Sequence, residues 1–327
     1  MHGVEFALAI QADATTPATT KFIEGRMGSA RMWTEFVKTD NKVEDHSLND
    51  RPTSRKSKQA RTKKIVRVRA EGYLYGDLLP LLLAGVGFGI ATTDNTTYQT
   101  QVATVANIGA SAYLTVLLAH GKGASKYERR GVGCRFSRLQ LTSEERGIKW
   151  TADGIALTES VSAGTETVAV EADAILSPSL GAMTYGALAL GAPRSHSITF
   201  KRTVAEDDLK QHAFQLNSLP VSDMRVSGEL RGLELTDTKY KALVWGGSTA
   251  PDNVPVLDSL TYSWESPVEV VSGTAYAAAF AFAECEFETA DYDSSPGKVY
   301  LDATYTMNDR TATVPLTATI TNNVTAY

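Results

Sequence analysis

Cysteine is nearly absent from this chain: Cys134 and Cys285 are the only two in 327 residues. That excludes a disulfide framework, and since the two hold matching places in a repeat described below, each is expected to fill a small buried slot as a free thiol. Histidine is also scarce. His2, His46, His120, His196 and His212 are scattered, with no pair four residues apart and neither cysteine beside one, so a zinc site has no local support. There is no Gly-x-Ser-x-Gly elbow, and no residues can be cast as nucleophile, base and oxyanion donor. The carboxylates Glu144-Glu145 and Glu206 to Asp208 fall in expected turns, where solvation accounts for them. The chain is therefore expected not to be an enzyme and to hold no cofactor or metal.

Long apolar runs are missing too. The longest, Leu78 to Ala91, is broken by Pro80, Gly85, Gly87 and Gly89 and falls short of the roughly 20 residues that cross a bilayer. The segment Met1 to Ala7 lacks the basic stretch and apolar run of a secretory leader, so synthesis in the cytosol is expected, with no membrane partner. A net charge of -5 gives no whole-chain attraction to nucleic acid. Gly85-Val-Gly-Phe-Gly89 resembles a nucleotide loop only superficially, because it follows a helix where a phosphate cradle precedes one. His120 to Lys126 lacks P-loop spacing and fits a hairpin turn.

What is present is a repeat. Val66-Arg-Val-Arg-Ala-Glu71, Asp77 and a short apolar helix recur as Met224-Arg-Val-Ser-Gly-Glu229, Asp237 and a second helix. Further on, Cys134, Phe136, Gly147 and Trp150 are echoed in the same order by Cys285, Phe287, Gly297 and Tyr300. Residues 64 to 75 alternate, with Val66, Val68, Ala70, Gly72 and Leu74 on one face, the period of a half-buried strand. Asp77 is placed to cap the first helix and Gly85 to stop it. Thr236 or Asp237 caps the second, which runs to Trp245 and ends at Gly246-Gly247.

Strands are expected near 111 to 118, 132 to 142, 148 to 158 and 165 to 172, then 259 to 265, 275 to 290, 297 to 307 and 312 to 321. In the last, Val314, Leu316, Ala318 and Ile320 share the core face, and Pro315 marks an edge or a strand start. The fold class is mainly β: two tandem β-sandwich or partial-barrel domains, 1 to 180 and 181 to 327, each with one short flanking α-helix.

The sharpest asymmetry is the stretch 38 to 64. It has almost no apolar residue and is expected to be a mobile loop of the first domain in a free monomer. From Arg51 onward every charge is positive: Arg51, Arg55, Lys56, Lys58, Arg61, Lys63 and Lys64. Seven cations could grip phosphate, yet no aromatic is interleaved to stack bases. The leading expectation is an inter-subunit arm against an acidic neighbour, because the matching connection, Thr203 to Asp223, is shorter and mixed in charge.

Gly3-Val-Glu5, Thr15 to Gly25, Gly72-Tyr-Leu-Tyr-Gly-Asp-Leu-Leu-Pro-Leu-Leu, Arg130 to Leu141 with its Gly-led return strand, and His196-Ser-Ile-Thr-Phe-Lys201 together give the chain a further character. In these segments it resembles the duplicated major tail tube proteins of long flexible-tailed, siphovirus-type bacteriophages. The resemblance implies tail-tube-type domains, trimeric rings with pseudo-sixfold symmetry, and stacking into a tube whose barrel lines a lumen. It implies assembly in the host cytoplasm and a place in the virion tail. The implied partners are the chain itself, tail tip and tail terminator proteins, and a tape measure protein and genomic DNA in the lumen, the DNA without sequence-specific binding. The alternatives are a monomeric two-domain β-sandwich binding or adhesion protein, and a nucleic-acid-binding protein acting through 51 to 64.

Overall fold

The structure, a computed structural model, describes residues 4–18, 21–25, 27–39, 60–105, 112–120, 127–144, 147–162, 168–169, 174–205, 216, 218–245, 257–295, 298–308, 314–325 and 327. Strands dominate. The first part holds β1 (Val4–Ile10), β2 (Phe22–Glu24), β3 (Met27–Thr39) and β4 (Ala60–Tyr73), then helix α1 (Leu79–Val86) and the hairpin β5 (Phe88–Asp94) and β6 (Gln99–Val105). It continues with β7 (Leu114–His120), β8 (Tyr127–Glu144), β9 (Gly147–Ala156), β10 (Thr158–Ser162) and the short β11 (Val168–Ala169). After a 3-10 turn at Pro178–Leu180 come β12 (Met183–Tyr185), β13 (Leu188–Ala189), β14 (Ser195–Lys201) and β15 (Arg225–Glu234). Helix α2 (Asp237–Tyr240) runs into a π-turn at Lys241–Trp245, and β16 (Leu257–Val271), β17 (Thr274–Ser295), β18 (Lys298–Met307) and β19 (Leu316–Asn322) complete the chain.

The strands form two packed layers. One is a continuous antiparallel sheet in the order β3, β4, β9, β8, β14, β15, β18, β17. Behind its first half lies the row β2, β1, β7, β8, β10, and behind its second half the row β13, β12, β16, β17, β19. The long strands β8 and β17 bend from one layer into the other, and each carries a bulge at the bend, between Phe136 and Arg138 and between Phe287 and Thr289. An extra residue on one strand forces such a bend. Both bulges sit the same number of residues before the hairpin that follows, just after the Cys-x-Phe motifs. The β5–β6 hairpin adds to the rear layer, where β6 pairs with β19.

Alternation explains the core. Val66, Val68 and Ala70 are buried while Arg69 and Glu71 are exposed. Apolar on every side, α1 is buried along its whole length. The largest apolar cluster runs through both halves without a break, and Phe88 of the first half meets Phe200 of the second edge to face at 5.7 Å. Both cysteines are buried free thiols, as expected.

Four expectations need correction. Asp77 does not cap α1: the N-cap is Leu78, without a side-chain cap, and Asp77 is buried. Nor does Gly85 stop the helix. It lies inside, and the stop is Gly87 at φ 116°, a left-handed conformation that costs glycine little. Val314 is 46% exposed because β19 begins only at Leu316. The stretch 38 to 64 is not loop throughout: β3 and β4 stay paired out to Thr39 and Ala60, since ladder hydrogen bonds form whatever the side chains.

Candidate assembly interface

The front sheet is continuous because β8 and β14, from different halves, pair over Arg138 to Thr142 and Ser197 to Lys201. The Arg202 amide donates to the Ser137 carbonyl at 3.0 Å, so even-numbered groups of β14 point across this seam. Three side chains reinforce it. Arg202 donates from Nη1 to the Val86 carbonyl at 2.7 Å, closing the C-terminus of α1 with a cation. Burial, and next the nearby charge of Arg135, lower its pKa to about 10, with Asp223 opposing them. The Ser143 hydroxyl accepts from the His196 amide at 2.6 Å. The His196 ring, 4.6 Å from that of Tyr262, has Nε2 at 2.7 Å from the Tyr305 hydroxyl, and burial alone depresses its pKa to about 3.

A second seam joins β6 to β19. Asn322 Nδ2 lies 2.9 Å from Gln101 Oε1, 3.1 Å from the Gly76 carbonyl oxygen and 2.8 Å from the Tyr327 hydroxyl, three acceptors that share its two hydrogens. Gln101 Nε2 donates to the Val324 carbonyl at 2.8 Å, and the Tyr327 hydroxyl to that of Asp77 at 2.8 Å. The C-terminal strand is thus tied to the turn that opens α1.

Among the described residues no strand pairs with the edge of β3 turned away from β4, or with Phe287 to Ser295 of β17 on the side away from β18. Beside the β3 edge lies a groove of about 700 Å³ lined by Met32, Phe36, Lys64, Tyr127, Arg129 and Glu159, with Tyr127 49% exposed. There the Met32 carbonyl accepts from Arg129 Nη1 at 2.8 Å, and Arg129 is held by Glu159 at 2.6 Å. The solvent face of the sheet is charged with both signs in register. Arg67 meets Glu35 at 2.6 Å, Arg69 meets Asp153 at 3.6 Å and Arg231 meets Glu229 at 2.6 Å. The bond from Arg67 is the main cause of the lowered Glu35 pKa.

Of the seven arm cations, Arg61, Lys63 and Lys64 lie on β4, and Lys64 lines the groove. Arg51, Arg55, Lys56 and Lys58 lie outside the described residues. Nothing in the sequence marks Arg202, His196 or Asn322 for the seams, since their partners Val86, Tyr305 and Gln101 come from segments far off in sequence. Among the described residues no cluster of three or more potential metal ligands occurs, and no helix is long and apolar enough to cross a membrane.

The fold is thus layered and β-rich, with a groove lined by the Arg129–Glu159 ion pair and by aromatic rings beside the outer edge of β3. The sequence matches the model of the phage tail tube protein family over residues 2–307, nearly the whole chain, and the protein belongs to that family. It is a family of structural proteins of the virion tail, not of enzymes. No curated protein matches the sequence significantly.

Proposed function

We propose that the chain is the repeating subunit of a tail tube: two tandem domains, 1 to 180 and 181 to 327, that polymerise into stacked rings through which the genome passes. The observation that supports this most directly is the β8·β14 seam. On one side of it stand β3, β4, β9, β8, and on the other β14, β15, β18, β17, with matching partners in the rear layer. Two copies of one domain would give this order. Ring closure by three copies would then use six such units with pseudo-sixfold symmetry, and the joined front sheets would form a barrel without edges.

The charged solvent face of the front sheet would line the lumen. Its carboxylates and guanidiniums neutralise one another in pairs, so the lining exerts little net pull on phosphate and lets DNA slide. A tape measure protein would occupy the same lumen during assembly in the host cytoplasm, and tail tip and terminator proteins would meet the two ring faces at the tube ends. The arm of Arg51, Arg55, Lys56, Lys58, Arg61, Lys63 and Lys64 would reach the adjoining ring. Electron micrographs of concentrated protein test the reading: rings or hollow tubes are expected, and monomers under every condition would refute it.

A further inference from the structure

The charged face of the front sheet has one stretch where its pairing of opposite signs fails. Lys201 of β14 stands directly opposite Arg138 of β8 on one side and Arg225 of β15 on the other, so three cations lie in register across three adjacent strands at the seam between the halves. Like charges placed this way destabilise a sheet. Elsewhere on the face a carboxylate answers the guanidinium, as Glu35 does for Arg67 and Glu229 for Arg231. Among the described residues no ion pair reaches Arg138, Lys201 or Arg225. Asp153, opposite Arg138 on β9, lies 3.6 Å from Arg69 instead.

These cations border a groove of about 770 Å³ lined by Arg138, Lys201, Arg202, Arg225, Thr203 and Ser222, with Asp153 and Asp223 also reaching it. Four cations thus face two carboxylates, one of them already held by Arg69. Arg138 donates from Nη2 to Gln140 Oε1 at 2.6 Å, while its Nε and that of Arg202 are buried without an acceptor. The segment beside them is fixed. The Thr203 amide donates to the Ser222 hydroxyl at 2.9 Å and the Ser222 amide to the Thr203 carbonyl at 2.9 Å. Val204 and Val221 bridge next to them and join Leu219, Ile65 and Ile155 in a small apolar cluster, and Arg135 Nη1 donates to the Leu219 carbonyl at 2.7 Å.

We propose that this groove is a phosphate-binding site, in which a phosphate group supplies the negative charge that the row lacks and ties the two halves together across their seam. The donors are of the right kind, since a guanidinium fork takes two phosphate oxygens at once and a lysine adds a compact charge. A carboxylate ligand, with one charge and two oxygens, would answer fewer of the four cations. Because other cations of the face are paired, the attraction is confined to this groove. The site belongs to the single chain and goes beyond the tube-subunit reading. The group has two sources, a free phosphate or pyrophosphate anion and the backbone of a nucleic acid.

Calorimetric titration of the free chain at fixed ionic strength tests the site, with inorganic phosphate, pyrophosphate and a short oligothymidylate as probes. The comparison is the double variant Lys201→Gln with Arg225→Gln, whose two side chains are exposed and whose loss removes like-charge repulsion without touching the core. At least one probe is expected to bind the parent and to bind the variant about tenfold or more weakly. Binding of the small anions identifies the free ion as the source, and binding of the oligonucleotide alone identifies the backbone. At about a hundred times its Kd, the bound probe should raise the parent's melting temperature by about 4 °C and leave the variant's unmoved. No binding of any probe to the parent, or equal binding by parent and variant, overturns the site. An equal melting shift in both also overturns it, since anions excluded from protein surfaces stabilise any fold. None of these results bears on whether copies polymerise.

Discussion

Arg202 is a cation buried where the two halves meet, and its main bond is to a backbone carbonyl, not a carboxylate. Replacing it with methionine keeps the packing but leaves the buried Val86 carbonyl without that donor, which should cost about 1–3 kcal/mol, read as a lower urea midpoint at unchanged slope. His196 adds a dependence on pH. Folded, it stays neutral down to about pH 3, whereas an unfolded chain protonates it near 6.5, so the unfolded state binds the extra proton between those values. Its contribution is complete above 6.5 and is lost as the pH falls toward 3. A His196→Gln variant should show a shallower loss of stability than the parent between pH 6.5 and 4.5, by up to about 1.4 kcal/mol per pH unit. Equal slopes by denaturant titration would remove His196 from that account.

At the scale of elements, the hairpin β5–β6 links the first half to the last strand. Its buried amide pair, Gln101 and Asn322, is satisfied on both sides. Asn322→Leu strands Gln101 Oε1 and the Gly76 carbonyl, and a loss of about 2–4 kcal/mol is expected, while Gln101→Ala and Asn322→Ala combined should cost less than the sum of the two alone. A double-mutant cycle on unfolding free energy checks the coupling, expected at about 0.5–3 kcal/mol. The strand at Val66 to Leu74, the strand at Leu316 to Ile320 and the helix at Leu78 to Ala84 were legible in the sequence, because the first two alternate cleanly and the third is apolar on every side, whereas the β5–β6 hairpin fell in a stretch expected to be polar connection. The ends of the elements were less legible. Gly85 and Gly87 are equally good stops on paper, but Gly85 packs inside the helix against Phe136 and Leu114, and Gly87, against Arg202, is the one with φ 116°.

At the scale of the molecule, a shared sheet and an unbroken apolar cluster couple the halves. Calorimetry should therefore give one unfolding transition instead of two separated ones, and distinct transitions would show that the seams contribute little to stability. The arm acts between molecules. Replacing Arg55, Lys56, Lys58 and Arg61 with serine should leave the monomer's melting temperature within a few degrees of the parent and abolish tubes while still allowing rings, by electron microscopy; tubes of normal length would exclude the arm from ring stacking.

Sequence was enough for the strongly periodic strands and the first helix, because alternation and an all-apolar run place burial locally, and Cys-x-Phe at Cys134 and at Cys285 stands just before a bulge each time. The arm's charge was equally plain, being composition. Which strands become neighbours is a tertiary outcome: β8 meets β14, β6 crosses to β19, and among the described residues no strand pairs with the outer edge of β3 or of Phe287 to Ser295 in β17. Hydrogen-bonded pairing is made by backbone groups that every residue type shares, so side-chain order can mark a strand without naming its partner.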